Sequence, residues 1–277
     1  MNKKDNEVIK DFGMEWSRFS QGESLNQEEL LDIFNGYFRI FPTEIYLNKE
    51  NIGFDMGCGS GRWAGLIAPK VRKLICIDAS EEALKVTKNN LRLLENCEFI
   101  CSTAEEFDVE DESMDFGYSL GVLHHVTNTE ESLKNCVKKL KKGSPFLLYL
   151  YYRFDNRSYL FQSIWAISNV VRILISKLPF SFKKVLTDLI ALLIYWPLSR
   201  LAWFVNLLGF DDSFLPLSFY KRSSFYTMRT DALDRFGTKL EKRYTKHEIR
   251  ELMSESGLGD IKFSENEPYW VAVGYKS

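Results

Sequence analysis

The stretch Ile52-Gly53-Phe54-Asp55-Met56-Gly57-Cys58-Gly59-Ser60-Gly61-Arg62-Trp63 decides how the rest of the chain is interpreted. Its first residues are apolar and predict a short strand that ends at Asp55. Three glycines follow at alternate positions, Gly57, Gly59 and Gly61, before a helix begins. Glycine permits positive φ angles and has no Cβ to keep a ligand from the backbone, and the first turn of a helix presents free N–H groups. The stretch therefore predicts a strand, a turn and a helix that together bind a ligand.

Short apolar strands alternate with helices along the residues that follow. Such alternation is typical of an α/β protein with a doubly wound, mostly parallel sheet. Ligands of these sheets bind at the carboxyl ends of the strands. The later predicted strands, with a closing antiparallel pair at the end, are 73–77, 98–101, 114–120, 145–152, 261–263 and 269–275.

A second carboxylate, Asp78, ends the predicted strand 73–77 and follows Gly57 by 21 positions. A carboxylate in that position can accept hydrogen bonds from both hydroxyls of a ribose, so we predict a ligand that contains adenosine. The dinucleotide fingerprint has its third glycine three positions after the second. Here Gly61 follows Gly59 by two positions, which disfavours a nicotinamide dinucleotide.

The alternate glycines, with an acidic residue two positions ahead of them, resemble motif I of the class I S-adenosylmethionine-dependent methyltransferases. Ala104-Glu105 corresponds to the family segment along the adenine, and Thr103 stands where the family often has Asp. Ser119-Leu120-Gly121-Val122-Leu123-His124-His125 resembles the fourth motif, which lines the cofactor pocket. Residues 11–19, 118–125 and 228–238 also resemble a group of bacterial class I methyltransferases without a known substrate.

The resemblance implies a Rossmann-like methyltransferase fold with a seven-stranded, mostly parallel sheet. The stretch after strand five departs from a minimal methyltransferase, and we predict a helical insertion there. The resemblance also implies S-adenosyl-L-methionine as the cofactor, whose ammonium and carboxylate suit an acidic residue beside exposed backbone N–H groups. The residues implied to bind this cofactor are Asp55, Gly57, Cys58, Gly59, Gly61, Asp78, Ala79, Ala104, Glu105, Leu120 and Gly121.

The histidine pair His124-His125 is the candidate catalytic group. Some small-molecule O-methyltransferases that resemble this chain use one histidine of such a pair as general base. The sequence leaves open which ring faces the substrate. For both histidines the alternative is that the ring only shapes the pocket.

We predict three parts of the chain. Residues 1–48 form an N-terminal helical cap, residues 49–152 and 231–277 form the methyltransferase core, and residues 153–230 form a helical insertion. The insertion serves as a lid, as a substrate-binding element or as a dimerisation element.

Two apolar segments, 159–178 and 183–209, lie inside the insertion. The second approaches the length of a membrane span, which is about 20 residues. Asp188, Pro197 and Arg200 interrupt it, so we interpret the two segments as a soluble helical hairpin without a transmembrane span. A peripheral membrane contact and a homodimer stay open.

Polar and aromatic side chains at the two ends of the insertion are candidates for the substrate pocket. An arginine there could bind a phosphate or a carboxylate. A structural ion pair between Asp155 and Arg229 is the alternative for these two residues, and core packing is the alternative for the tyrosines. The candidate substrate residues are Tyr152, Asp155, Arg157, Tyr220, Arg229 and Tyr269.

Charge and cysteine content narrow the class of protein. The 277 residues carry a formal net charge of -2, whereas a nucleic-acid-binding domain is strongly basic. The five cysteines form no C-x-x-C pair and only three histidines are present, so we predict reduced thiols and no metal. The polar first residues do not resemble a signal peptide. We therefore expect a cytoplasmic protein without a nucleic-acid partner.

The predicted function is methyl transfer, by in-line displacement, to an oxygen or nitrogen of a small molecule such as a sugar, a lipid-linked intermediate or a secondary metabolite. One alternative is a nicotinamide-dependent oxidoreductase, which the glycine spacing and the closing strand pair oppose. A second is a cofactor-binding protein without turnover, and a third is an RNA or protein methyltransferase. The fourth strand ends in Leu120-Gly121-Val122-Leu123 rather than an Asn-Pro-Pro-Tyr-like motif, which disfavours N-methylation of DNA or glutamine.

Overall fold

The computed structural model describes residues 3–18, 27–212 and 214–277, which form two compact units. In the described part of the chain, the sheet unit comprises 3–18, 33–153 and 240–277. The helical unit comprises 27–32 and 154–239 without residue 213.

The sheet has seven strands in the order β3-β2-β1-β4-β5-β7-β6. The strands are β1 (Ile52–Met56), β2 (Lys73–Asp78), β3 (Cys97–Cys101), β4 (Phe116–Leu120), β5 (Pro145–Tyr149), β6 (Leu258–Phe263) and β7 (Ala272–Lys276). The first five are parallel, while β7 is antiparallel to both β5 and β6. The predicted α/β fold with a closing antiparallel pair is confirmed.

Helices connect the strands, and several of them begin where the sequence supplies a capping side chain. Ser80 caps α5 through Ala83, Asn128 caps α6 through Glu131, and Thr245 forms a capping box with Glu248 at α11, which satisfies first-turn N–H groups. The helices are α1 (Lys3–Arg18), α2 (Gln27–Phe38), α3 (Thr43–Tyr46), α4 (Ala64–Ile67), α5 (Glu81–Asn90), α6 (Thr129–Lys139), α7 (Tyr159–Ser176), α8 (Phe180–Ile190), α9 (Trp196–Leu207), α10 (Phe225–Gly237) and α11 (Lys246–Glu255).

Aromatic rings and glycines alternate between β1 and β4, the two strands next to the glycine turn. Gly53 pairs with Phe116 and Phe54 pairs with Gly117. A Cβ on Gly53 would lie 2.1 Å from Phe116 Cζ, and one on Gly117 would lie 2.3 Å from Phe54 Cε1. Each ring therefore occupies the space over the neighbouring glycine, which keeps the centre of the sheet densely packed.

The helical unit has a small core of its own. Ile175 on α7 and Met228, Ala232 and Phe236 on α10 are buried with Tyr195, which lies in the π-helical turn Ala191–Tyr195 between α8 and α9. The run from Phe180 to Leu207 is continuous helix with that turn inside it.

The helical unit ends later than the predicted insertion. The prediction returned to the core at residue 231, which lies inside α10. Because one face of α10 is buried in the core of the helical unit, the whole helix belongs there and the chain re-enters the sheet unit at Leu240. The predicted cap 1–48 is also divided, since residues 27–32 belong to the helical unit and 33–48 to the sheet unit.

The two long helices of the helical unit are mostly uncovered within the chain. Tyr159–Ser176 and Phe180–Leu207 are long and apolar enough to cross a membrane, judged by length and composition alone. Only 17% of the first apolar window and 28% of the second is buried. The helices lie where the sequence predicted them, but a soluble hairpin would cover more of this apolar surface.

Candidate cofactor and active site

The glycine turn is fastened to the end of β2. The backbone N–H groups of Gly57 and Cys58 both donate to the carbonyl of Ile77, at 2.8 and 3.0 Å. Gly57 has a φ of +80°, and a Cβ there would lie 2.4 Å from Val122 Cγ2. The side chain of Cys58 is buried with its Sγ 3.6 Å from Thr87 Oγ1, so only the backbone of this residue can serve a ligand.

Asp78 links the turn to the next helix. Its Oδ2 accepts a 2.9 Å hydrogen bond from the Gly59 N–H, and its Oδ1 accepts one of 2.9 Å from the Ser80 N–H. Burial raises the pKa of Asp78, although both amides favour the charged form. Each carboxylate oxygen has a second lone pair, so Asp78 keeps the capacity to accept the ribose hydroxyls that the sequence predicted.

Asp55 is a buried carboxyl that a bound cation would stabilise. It is 2% exposed, and its Oδ2 has no hydrogen-bond partner among the described residues. Burial raises its pKa to about 8, and Asp78 adds to the rise, while the nearby Tyr118 hydroxyl and Arg62 partly offset it. A buried carboxylate is costly unless a positive group or a hydrogen-bond donor approaches it. An ammonium group beside the glycine turn would meet that need.

Residues predicted to lie along an adenine follow β3. The Ala104 carbonyl accepts a 3.0 Å hydrogen bond from Asn135 Nδ2, and Ser132 Oγ donates to Glu105 Oε1 at 3.4 Å. These contacts direct Glu105 toward α6, so its side chain supports the loop. Thr103 Oγ1 is buried without a partner in the described chain, and it was not among the predicted site residues.

The histidine pair lies in a short 3₁₀ turn, Leu123–His125, directly after β4. The His125 Nδ1 and the Leu240 carbonyl oxygen are 2.7 Å apart. A carbonyl oxygen only accepts, so Nδ1 donates to it. In a neutral ring with that proton the lone pair lies on Nε2, and a general base acts through such a lone pair.

His124 has a different environment. It is completely buried, and neither ring nitrogen has a hydrogen-bond partner among the described residues. Burial lowers its pKa well below the usual value, helped by His125 and Arg243, so the ring is neutral at pH 7. Its centroid lies 3.9 Å from that of Tyr151.

Sequence reasoning missed Tyr151 and Arg243 as neighbours of the histidine pair. The Arg243 guanidinium lies 5.1 Å from the Tyr151 ring centroid, and its Nε donates to Glu241 Oε1 at 2.8 Å. Tyr151 follows β5, whereas Arg243 follows the helical unit, so no local pattern joins them.

The described part of α1 packs beside the same edge of the sheet. The Phe12 ring lies 5.0 Å from the His125 ring, centroid to centroid. A Cβ on Gly59 would lie 2.8 Å from Trp16 Cε2, so the Trp16 indole packs directly on the glycine turn. Leu120 is buried at the end of β4, and Gly121, with a φ of +76°, follows it.

Residues 54–148 match the family model of a methyltransferase domain. The match covers the glycine turn, both aspartates and the histidine pair. This chain contains a class I S-adenosylmethionine-dependent methyltransferase domain. The buried, unpartnered Asp55 oxygen fits the ammonium of that cofactor, and Asp78 fits its ribose. The predicted nicotinamide-dependent alternative loses its support.

Relatives of the methyltransferase domain cover only part of the chain. An uncharacterized methyltransferase, YcgJ, of Bacillus subtilis (strain 168) is 29% identical over 105 residues, which are 37% of this chain and 42% of that protein. A ubiquinone/menaquinone biosynthesis C-methyltransferase of Rickettsia prowazekii (strain Madrid E) is 28% identical over 40% of this chain and 50% of its own length. The chain thus spans about half the length, or less, of these relatives.

A solved structure resembles the chain over nearly its whole length. It is a Haloferax volcanii protein determined in complex with a methyltransferase activator, and it is 11% identical with a TM-score of 0.55. The similarity covers 95% of this chain and 96% of that one. At this identity it supports the fold of the methyltransferase domain and nothing finer.

The predicted substrate residues are divided between the two units. Tyr152 and Tyr269 belong to the sheet unit and pack on its core, with ring centroids 5.5 Å apart. Arg229 makes a bidentate ion pair with Asp188, in which Nε donates to Oδ1 at 3.0 Å and Nη2 donates to Oδ2 at 3.1 Å. The structure thus gives Arg229 a carboxylate partner on α8 that the sequence did not indicate, and the suggested pair of Asp155 with Arg229 stays a prediction.

The other two candidates also lie in the helical unit beside aromatic rings. The Arg157 guanidinium is 5.2 Å from the Phe161 ring centroid. Tyr220 packs on Tyr195, with centroids 5.4 Å apart. These contacts explain their positions through packing, and their role toward a substrate stays a prediction.

Proposed function

We propose that this chain transfers the methyl group of S-adenosylmethionine to an oxygen or nitrogen of a small molecule. The observation that carries the proposal is the buried Asp55 carboxyl at the glycine turn, whose Oδ2 has no hydrogen-bond partner among the described residues. Burial makes its charged form costly, and a bound ammonium would stabilise that form.

The residues of the domain have separate roles in this proposal. S-adenosylmethionine, when bound, supplies an electrophilic methyl group on a sulfonium. Asp55 holds the ammonium of the amino acid part, and Asp78 accepts the ribose hydroxyls. The positive φ angles at Gly57, Gly59 and Gly61 let the backbone approach the ligand. Orientation of the two reactants is the main contribution that such a site makes to the rate.

His125 is the proposed general base. Its Nδ1–H donates to the Leu240 carbonyl, which fixes the ring and leaves the lone pair on Nε2. A base is useful when the acceptor must lose a proton, as a hydroxyl does during the transfer and a protonated amine does before its nitrogen can attack. His124, completely buried and packed on Tyr151, shapes the wall behind it.

A carbon acceptor is the second candidate. The Rickettsia prowazekii relative is named a C-methyltransferase of ubiquinone/menaquinone biosynthesis. An activated carbon also loses a proton, so the same base would serve. A cytoplasmic location, a homodimer and the absence of a nucleic-acid partner stay predictions.

Calorimetric titration tests the cofactor part of the proposal. Purified protein would be titrated with S-adenosylhomocysteine and, separately, with NADH. The variants are Asp78→Asn, which retains the side-chain shape, and Asp108→Asn, which removes an exposed carboxylate of the same unit as a control. We expect S-adenosylhomocysteine alone to bind, weakly in Asp78→Asn and normally in Asp108→Asn. Binding of NADH alone would overturn the proposal.

The acceptor requires a second experiment. Radiolabelled methyl transfer from S-adenosylmethionine would be measured against sets of hydroxyl, amine and activated-carbon acceptors. We expect label in an oxygen or nitrogen acceptor. Label only in carbon acceptors would replace the first candidate by the second, and cofactor binding without transfer to any class would favour the non-catalytic alternative.

A further inference from the structure

The helical unit carries an uncovered apolar surface that the proposed activity does not require. All but three of the exposed large apolar side chains in the described chain lie between residues 159 and 225. On α7 and on the helical run 180–207 they recur turn after turn. Members with half or more of the side chain exposed include Ile167, Val170, Leu174, Leu193, Phe204 and Leu207.

The charged residues of the same helices, apart from Lys184, are buried or half-buried. Arg172 is 7% exposed and donates from Nη1 to the Thr238 carbonyl at 2.9 Å, and Lys183 is 2% exposed. Thr187 is buried, and Asp188 pairs with Arg229 on α10. In a helix of a soluble protein the apolar face is the covered one. The reverse order, with charges inside and apolar side chains outside, is characteristic of helices in contact with lipid.

The exposed charges of this surface are few, and three of the four are positive. Between residues 159 and 225, the exposed charged residues of the described chain are Lys177, Lys184, Asp211 and Arg222, and the two lysines lie on either side of the turn that joins α7 to α8. Cations at the end of an apolar surface bind anionic lipid headgroups. Trp196 and Trp203 are partly exposed on the returning helix, and tryptophan favours the membrane–water boundary.

The position of α10 distinguishes between two arrangements: helices that span the membrane and helices that lie in its surface. α10 covers the inner side of α7 and α8 and carries Arg229, Asp231, Asp234 and Arg235. A hairpin with a charged helix along one side cannot be surrounded by hydrocarbon. It can lie in the membrane plane with its outer side in the lipid.

We propose that the outer face of α7, α8 and α9 binds a lipid bilayer with anionic headgroups, parallel to the membrane plane. A second copy of the chain is the competing occupant of this face. A dimer would cover one side of each helix, whereas the exposed residues extend over several sides of both. The proposal does not depend on the methyltransferase activity.

Vesicle flotation tests the proposal. The full chain would be mixed with vesicles of phosphatidylcholine, with and without phosphatidylglycerol. The variants Ile167→Glu and Leu193→Glu place a charge on the outer face, and Leu93→Glu places one at an exposed apolar residue of the sheet unit as the matched control. We expect the first two to weaken binding by about tenfold or more and the control to bind as the wild type does.

The lysines provide an independent readout with little risk to the fold. Lys177→Gln and Lys184→Gln should each weaken binding to phosphatidylglycerol vesicles by about fivefold, and high salt should do the same. On vesicles, both lysines should react with a membrane-impermeant amine reagent added outside. Protection of both that is lost once the reagent is admitted to the vesicle interior would show that the hairpin crosses the bilayer and would overturn the in-plane arrangement.

Light scattering on the same variants completes the test. A wild type that ignores vesicles but forms a dimer, which Ile167→Glu and Leu193→Glu dissociate, would overturn the proposal in favour of a second copy. The proposal would also be overturned if the wild type and all three glutamate variants floated equally with the vesicles, because the lipid would then bind elsewhere. Unchanged titration with S-adenosylhomocysteine would show that each variant retains a folded sheet unit.

Discussion

The Gly59 N–H donates a 2.9 Å hydrogen bond to Oδ2 of Asp78. The bond joins the turn after β1 to the end of β2, the two places where the sequence predicted cofactor contacts. Asp78 therefore has a structural role in the free protein and a binding role when the cofactor is present. Its substitution should affect both, so the retained shape of asparagine matters in the titration proposed above.

Replacing Gly57 by alanine should destabilise the protein more than the same replacement at Gly143, which has a similar backbone conformation. Gly57 has a φ of +80° and Gly143 one of +77°, but a Cβ would meet Val122 Cγ2 at 2.4 Å only at position 57, and nothing within 4 Å at position 143. The left-handed backbone costs about 1–2 kcal/mol in both alanine variants. The clash should add about 1–3 kcal/mol in Gly57→Ala.

Chemical denaturation of Gly57→Ala and Gly143→Ala would measure this difference. Titration with S-adenosylhomocysteine should also show a loss of binding in Gly57→Ala alone. Equal free energies of unfolding in the two variants would mean that Val122 moves aside at little cost.

Binding of S-adenosylmethionine near pH 7 should release a proton from Asp55. With a pKa of about 8 in the free protein, the carboxyl is mostly protonated at pH 7. A bound ammonium favours the carboxylate and lowers that pKa. Calorimetry in buffers of different ionisation enthalpy should therefore report a release approaching one proton, and Asp55→Asn should abolish it. A binding enthalpy that is independent of the buffer would contradict the assignment of Asp55 to the ammonium.

The same carboxyl should make the free protein less stable as the pH rises. Its folded pKa lies above the ordinary 3.8, so the folded state retains a proton that the unfolded state has lost. The free energy of unfolding should fall between about pH 4 and pH 8, by at most about 1.4 kcal/mol per unit. In Asp55→Asn this part of the fall should vanish, which denaturant titrations across that pH range would show.

His124 should have the opposite effect on stability. Burial holds its pKa in the folded state well below the usual 6.5. Below pH 6.5 the unfolded state therefore binds a proton that the folded state does not bind. Stability is present above pH 6.5 and should be lost below it, by up to about 1.4 kcal/mol per unit. The variant His124→Leu, of similar volume and without a titrating group, should lose less stability at pH 5.5. A wild type and variant with parallel pH profiles would place the His124 ring in contact with water.

His125 should matter for turnover and little for folding. In His125→Asn the side-chain amide can still donate to the Leu240 carbonyl, but the lone pair of Nε2 is gone. We expect kcat to fall by about 10²–10⁴-fold, with unchanged binding of S-adenosylhomocysteine. An active His125→Asn variant would leave His125 a packing role only. The assay requires an acceptor found in the labelling experiment.

The ion pair of Asp188 with Arg229 should stabilise the helical unit. Both side chains are about one-third exposed, so solvent weakens the pair, while its two hydrogen bonds strengthen it. A double-mutant cycle of Asp188→Asn and Arg229→Gln should give a coupling of about 1 kcal/mol. Hydrogen exchange in α8 and α10 would measure it. If the effects of the two substitutions on stability were strictly additive and only Arg229→Gln raised KM, Arg229 would be assigned to the substrate site instead.

The sequence by itself determined the methyltransferase sheet and its cofactor edge. The strand ending at Asp55, the alternate glycines and Asp78 form local patterns, in which each residue is interpreted from its neighbours along the chain. The closing pair of β6 and β7 was predictable for the same reason. Local hydrogen bonding and periodicity create these features, so they are visible before folding.

Only the tertiary structure separated His124 from His125. Adjacent in sequence, they differ because Leu240 reaches one ring while Tyr151 covers the other. The partner of Arg229 was equally hidden, because α8 and α10 meet only after the chain folds. The burial of side chains was the least predictable feature. Composition predicted two apolar helices, but it could not indicate that most of their charged residues lie inside and most of their large apolar residues outside. That arrangement depends on α10, which follows α7 and α8 in the chain and covers their polar side.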